Sequence, residues 1–190
     1  MLVIGLTGGI GAGKSTVASR LRQHGATIVD VDALGHVVLA PGGKAHDAVL
    51  AEFGTVDRPE LGAIVFGDPA QLERLTAISH PAINAELDEV LAGIDDDAVV
   101  VLDMAILAES NLGHGRYSTV VTVEAPIELR VARAVARGMP EVDVRRRLAA
   151  QASDERRRAL ADHVLVNDAD EASLLLQVDA LWELLTRTRR

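Results

Sequence analysis

Gly8-Gly9-Ile10-Gly11-Ala12-Gly13-Lys14-Ser15 is the stretch whose reading decides the fold. It fits the spacing G-x-x-x-x-G-K-[ST] of a phosphate-binding loop. Each residue type meets a physical need: glycines let successive backbone N–H groups turn toward one anion, and Lys14 reaches the β- and γ-phosphates of a nucleoside triphosphate. Ser15 is the expected Mg²⁺ ligand, and the helix that begins here adds the positive end of its dipole. The phosphate contacts are therefore assigned to Gly9, Ile10, Gly11, Ala12, Gly13, Lys14, Ser15 and Thr16. The flanks agree. Leu2-Val3-Ile4-Gly5-Leu6 suits a buried parallel strand, and Ser15 to His24 reads as a helix closed by Gly25.

The chain has 190 residues, 48% of them hydrophobic, enough for one sizeable core with small inserted subdomains. It has no cysteine, which excludes disulfides, thiolate metal sites and a thiol nucleophile. No stretch resembles a signal peptide, and no apolar run approaches the ~20 residues of a membrane span, so the expectation is a cytoplasmic protein without a membrane partner. A formal charge of −9 argues against a general nucleic-acid binder, which needs a basic face. The positive charge is unevenly placed. Lys14 and Lys44 are the only lysines, and most arginines lie from Arg130 onward. Such a cluster suits a small anionic ligand, or a set of solvated helix faces paired at i,i+4.

After Gly25, the β-branched run Ala26 to Asp32 predicts a second strand ending in two acids, Asp30 and Asp32. Ligands of open parallel sheets sit beyond the carboxyl ends of the strands, so Asp32 is a candidate to orient an acceptor hydroxyl. It is equally a candidate N-cap for a helix from Ala33 to Leu39. From Pro41 to Gly93 the pattern is of short helices, with starts at Asp57-Arg58-Pro59 and Asp68-Pro69-Ala70-Gln71 and a break between two helices at His80-Pro81. Ala98 to Asp103 is a third strand, whose terminal Asp103 could hold the Mg²⁺ water shell or cap the next segment. Ser118 to Val123 is a fourth strand, followed by a helix opening at Ala125-Pro126 and running to Gly138. Pro140 to Gln151, with Arg145, Arg146 and Arg147, reads as a helix able to close over phosphates. Arg156 to Arg158 lie on another short helix, and Val164 to Val166 form a fifth strand. The last helix, from about Glu171, carries a core stripe through Leu174, Leu175, Val178, Leu181 and Leu185. Strands alternating with helices predict an α/β doubly wound sheet with helices on both faces.

Taken together, these residues resemble the dephospho-CoA kinase family of P-loop kinases. The carrying residues are Leu6-Thr7-Gly8-Gly9-Ile10-Gly11 through Ser15, Val29-Asp30-Val31-Asp32, Phe53-Gly54, Asp57-Arg58, Val65-Phe66, His80-Pro81 and Glu109. Arg137, Arg147, Gln151, Ala161-Asp162 and Asn167 extend the match toward the C-terminus. The resemblance implies a five-stranded parallel sheet of the P-loop NTPase type, with core segments about 1–34, 94–136 and 152–190. It also implies a helical acceptor-binding insertion about 35–93 and a small lid about 137–151. It implies phosphorylation of the ribose 3′-hydroxyl of dephospho-CoA by ATP with Mg²⁺, with Asp32 as catalytic acid and acceptor contact. Arg137 and Arg147 become lid arginines acting with Lys14, and His80 and Glu109 become acceptor-side contacts. Three departures fall on the acceptor side: His36 stands where the family has arginine, only Thr55-Val56 separate Gly54 from Asp57, and Ala105-Ile106-Leu107-Ala108-Glu109 replaces Pro-Leu-Leu-x-Glu. They leave open a related kinase acting on a nucleoside monophosphate or another small hydroxyl compound, or a nucleotide-binding regulator without catalysis.

Overall fold

The structure, a computed structural model, describes residues 1–65 and 67–187. Phe66, part of the resemblance above, lies outside the described residues. The elements run β1 (Leu2–Gly8), α1 (Lys14–Gln23), β2 (Thr27–Asp30), α2 (Val31–Leu39), α3 (His46–Phe53), α4 (Arg58–Val65), α5 (Pro69–Ala92) and β3 (Val99–Asp103). They continue as β4 (Thr119–Glu124), α6 (Ile127–Ala136), α7 (Glu141–Ala150), α8 (Asp154–Leu160), β5 (His163–Val166) and α9 (Glu171–Arg187). The five strands form one sheet in the order β2-β3-β1-β4-β5. β1 pairs in parallel with both β3 and β4, and β4 with β5.

The registers Leu6↔Asp103, Gly8↔Val123 and Glu124↔Val166 bring the carboxyl ends of four strands to one edge, with β1 between its neighbours. An open parallel sheet binds its ligand beyond that edge. The three inner strands, β3, β1 and β4, are largely buried on both faces, whereas the edge strands β2 and β5 keep exposed positions. On one face α1 and α9 seal the sheet, with Val17, Leu21, Leu174, Val178 and Leu181 packed on Ile4, Leu6, Val101, Val121 and Val123. On α9 this is the predicted stripe at 3.6-residue spacing, with Trp182 and Leu185 at its margin, except for Leu175, which lines a polar cavity instead. A smaller apolar cluster joins α6 to α7 through Val131, Ala134, Val144 and Leu148, and it includes the side chain of Ile10.

The chain divides into two compact units, Met1–Val29 with Asp96–Arg190, and Asp30–Asp95. The second is all-helical. In it α5 packs on α2, α3 and α4 and buries Val31, Val38, Val49, Leu61, Ile83 and Leu87. Two sequence expectations change here. The second strand stops at Asp30, and Asp32 already lies in the first turn of α2. The expected break at His80-Pro81 is absent: α5 runs through Pro81 as one helix of 24 residues. Proline removes one backbone donor, but the buried Ser79, Ala82, Ile83 and Leu87 keep the helix seated on its core on both sides of it.

Candidate active site

A cavity of about 300 Å³ opens at the carboxyl end of β1. One wall is the phosphate loop, contributed by Gly8, Gly9, Ile10, Gly11, Gly13, Lys14 and Ser15. The opposite side is made by Asp103 and Ala105 after β3, Arg137 at the end of α6, and Arg147 and Gln151 from the α7 segment. Lys14 Nζ donates to the Asp103 carboxylate. With Arg137 and Arg147 the cavity holds three cations against one carboxylate, a surplus suited to a polyanion. The first turn of α1, Lys14-Ser15-Thr16-Val17, contains no acid to oppose that charge. Among the described residues, no three His, Cys, Asp or Glu side chains converge as a cage for a metal ion.

The loop is held from behind by two side chains, one of them braced by a third. Arg130, 3% exposed, donates from Nε to Ile10 O at 3.0 Å and from its terminal nitrogen to Asp154 at 3.1 and 3.2 Å. Burial pushes this guanidinium below its ordinary pKa and the neighbouring Asp154 works against that shift, so the group stays charged. Asn167 Nδ2 donates to Ala12 O at 2.8 Å, while Arg133 donates to Asn167 Oδ1 and O at 3.0 and 3.1 Å and so fixes which way the amide faces. From the cavity side, Ile10 N–H donates to Gln151 Oε1 at 2.9 Å. Three glycines are required by this cradle, one of them Gly11, where φ is +76° and a Cβ would meet the Arg130 backbone. At Gly9 a Cβ would stand 1.8 Å from an Arg130 nitrogen. At Gly13, φ is +109° and a Cβ would meet Asn167 Nδ2 at 2.3 Å.

A sequence model of the dephospho-CoA kinase family matches residues 2–173. The chain belongs to that family. A curated dephospho-CoA kinase of Thermobifida fusca is 44% identical, the match covering 98% of each chain. A crystal structure from Thermus thermophilus is 35% identical and superimposes with a TM-score of 0.84 over 97% of this chain and 98% of the other. A Campylobacter jejuni dephospho-CoA kinase shares the fold at 21% identity, with a TM-score of 0.72 over 99% of this chain and 98% of that one.

In this member of the dephospho-CoA kinase family, Lys14, Ser15, Asp103, Arg137 and Arg147 share one cavity, as do the loop residues Gly9, Ile10, Gly11 and Gly13. Ala12 does not line it: it is buried, with its N–H on Gly9 O and its carbonyl on Asn167. Thr16 donates its N–H to Gly13 O and lines a second, polar cavity of about 280 Å³ with Ser15, Ser19, Arg20 and Gln23. Of the three consecutive arginines on α7 only Arg147 reaches the phosphate side. Arg145 is held by Glu128 and Glu141, and Arg146 by Asp143.

Within the helical unit, Asp30 and not Asp32 caps α2, accepting from Ala33 N–H at 2.9 Å. The competing role for Asp32 is thereby taken, and its carboxylate stands exposed one turn before His36. The Arg58 guanidinium donates to the His36 imidazole. His80 is half-buried on α5, and desolvation lowers its pKa. Glu109, expected among the acceptor contacts, turns Oε1 to Ala152 N–H at 2.7 Å and to Arg157 at 3.1 Å, because Arg157 is 1% exposed and needs a counter-charge. Arg130 and Arg157 had no role in the sequence reading. Arg130 had a signal: it falls at helical spacing beside Val131 and Ala134, on the face of α6 that is buried.

Proposed function

We propose that this chain transfers the γ-phosphoryl group of ATP to the ribose 3′-hydroxyl of dephospho-CoA, giving coenzyme A and ADP. The observation that carries the reading is the single cavity in which the phosphate loop of a chain of this family meets Lys14, Arg137 and Arg147. Phosphoryl transfer asks little covalent chemistry of the protein and depends on positioning and on neutralising charge spread over the transferred group. Lys14 leaves Asp103 for the β- and γ-oxygens when nucleotide arrives, and the two arginines approach the γ-phosphoryl from the other side. The Ser15 hydroxyl and the Asp103 carboxylate line one cavity, and the hydroxyl would hold Mg²⁺ while the carboxylate would hold it through its water shell. Bound there, the ion would supply further positive charge to the phosphate oxygens.

Asp32 is assigned the acceptor hydroxyl. A carboxylate is a much weaker base than an alkoxide, so it orients the hydroxyl and takes the proton only as the new bond forms. His80 belongs with the acceptor contacts, and its lowered pKa leaves the ring neutral near pH 7, able to donate and accept.

Coupled ADP release with ATP and Mg²⁺, comparing dephospho-CoA with adenosine, AMP and no acceptor, tests the reading. Release that depends on dephospho-CoA is expected, and release indifferent to the acceptor overturns it. Asp32→Asn lowers kcat by about 100-fold or more while ATP affinity stays within about threefold. Near-wild-type turnover would remove Asp32 from the mechanism.

A further inference from the structure

A closed circuit of hydrogen bonds joins the phosphate loop to the helix that carries Arg147. It starts at one peptide unit of the loop, where Ile10 accepts through its carbonyl from Arg130 Nε and donates through its N–H to Gln151 Oε1. From Arg130 the circuit passes to Asp154, and from Asp154 to the buried Arg157 at 3.4 Å. Arg157 donates to Ala152 O at 2.7 Å, and Glu109 accepts from both Ala152 N–H and Arg157. Both polar groups of the Ala152 backbone are thus held, and Ala152 follows Gln151 directly. The circuit closes on the residue where it began.

The same few residues set the place of Arg147. Gln151 is the C-cap of α7, its N–H bonded to Arg147 O at 3.1 Å, so the two residues stand one helical turn apart and both line the cavity. A second contact between α7 and the loop is apolar, Val144 and Leu148 packing in one cluster with Ile10. Apolar packing is non-directional and tolerates sliding, whereas a hydrogen bond is directional and fixes register. The acceptor is also neutral. A carboxylate in its place would set a negative charge beside the bound phosphates, while a carboxamide holds the N–H without one.

We infer that Gln151 is a positioning residue: its hydrogen bond to Ile10 N–H, anchored by the Glu109–Arg157 clamp on Ala152, sets where the Arg147 guanidinium stands over the phosphate loop. The inference rests on the phosphoryl-transfer reading above for its kinetic consequence, though not for the tether itself.

The test uses the full chain as Gln151→Ala, Arg147→Ala and the double variant, with Ile10 amide exchange followed by NMR alongside kinetics. Gln151→Ala speeds Ile10 exchange by about tenfold or more with an unchanged unfolding midpoint. It lowers kcat by about tenfold and leaves KM for ATP within about twofold. In the Arg147→Ala background it has no further effect on kcat, because the group it positions is gone. Unchanged Ile10 exchange, or kcat losses that multiply in the double variant, overturns the inference. If the wild-type chain fails to turn over dephospho-CoA, the functional reading falls and Ile10 exchange alone decides the tether.

Discussion

Gly9 has no room for a methyl group, because the guanidinium of Arg130 fills the space where a Cβ would be. Its conservation of space is a matter of packing, unlike Gly13, where the positive φ itself disfavours any L side chain. Gly9→Ala must push Arg130 off Ile10 O or Asp154, leaving a buried cation short of a partner. The expected result is a loss of about 1–3 kcal/mol in urea unfolding together with weaker ATP binding. A variant with unaltered stability and affinity would mean that Arg130 can leave without consequence. The two acids of Val29-Asp30-Val31-Asp32 show the limit of reading at this scale. Both are plausible caps by residue type, and the choice fell to Asp30 because the helix starts two residues earlier than the β-branched pattern predicts.

Among elements, the clearest contrast lies between the exposed and buried ion pairs of the Arg-rich segment. Arg146 and Asp143 pair at i,i+3 with side chains 77% and 36% exposed, a setting in which attraction is screened and worth little. Glu109 instead faces an Arg157 that is 1% exposed. Arg146→Ala is expected to change stability by about 0.5 kcal/mol or less. Glu109→Ala is expected to lose about 1–3 kcal/mol, because it takes the nearer carboxylate from the buried Arg157 and leaves it Asp154 at 3.4 Å, and added salt should not restore it. Equal effects of the two substitutions in urea titrations would sink this distinction. The sequence showed that Arg145, Arg146 and Arg147 lie on a helix. Successive residues on a helix point about 100° apart, so only one could face the phosphates, and which one depended on what α7 packs against.

At the scale of the molecule, the all-helical unit contributes a pH dependence through His80. Burial lowers its folded-state pKa, so the unfolded chain takes up a proton first as pH falls below about 6.5. Stability is therefore lost on acidification, from the unfolded-state pKa downward, and the loss levels off below the folded-state value. His80→Gln should remove part of the fall in urea midpoint between about pH 7.5 and about pH 5. An identical fall in both proteins would show that His80 titrates alike folded and unfolded. What the sequence by itself determined is local: the strand, glycine loop and helix of the phosphate site, the alternation that makes a parallel α/β sheet, the stripe of α9 and the caps at Asp57 and Asp68. These are legible because backbone geometry and hydrophobic period act over a few neighbouring residues. Only the tertiary structure decided that Arg130 holds Ile10 from 120 positions away, that Gln151 meets the same residue from 141, and that Asn167 reaches Ala12 from 155. It also carried α5 through Pro81 and turned Glu109 to a buried arginine. Contacts between residues so far apart leave no periodic trace in the chain. They exist because the parallel sheet brings the carboxyl ends of its strands to one edge, where buried charges and backbone groups must find partners.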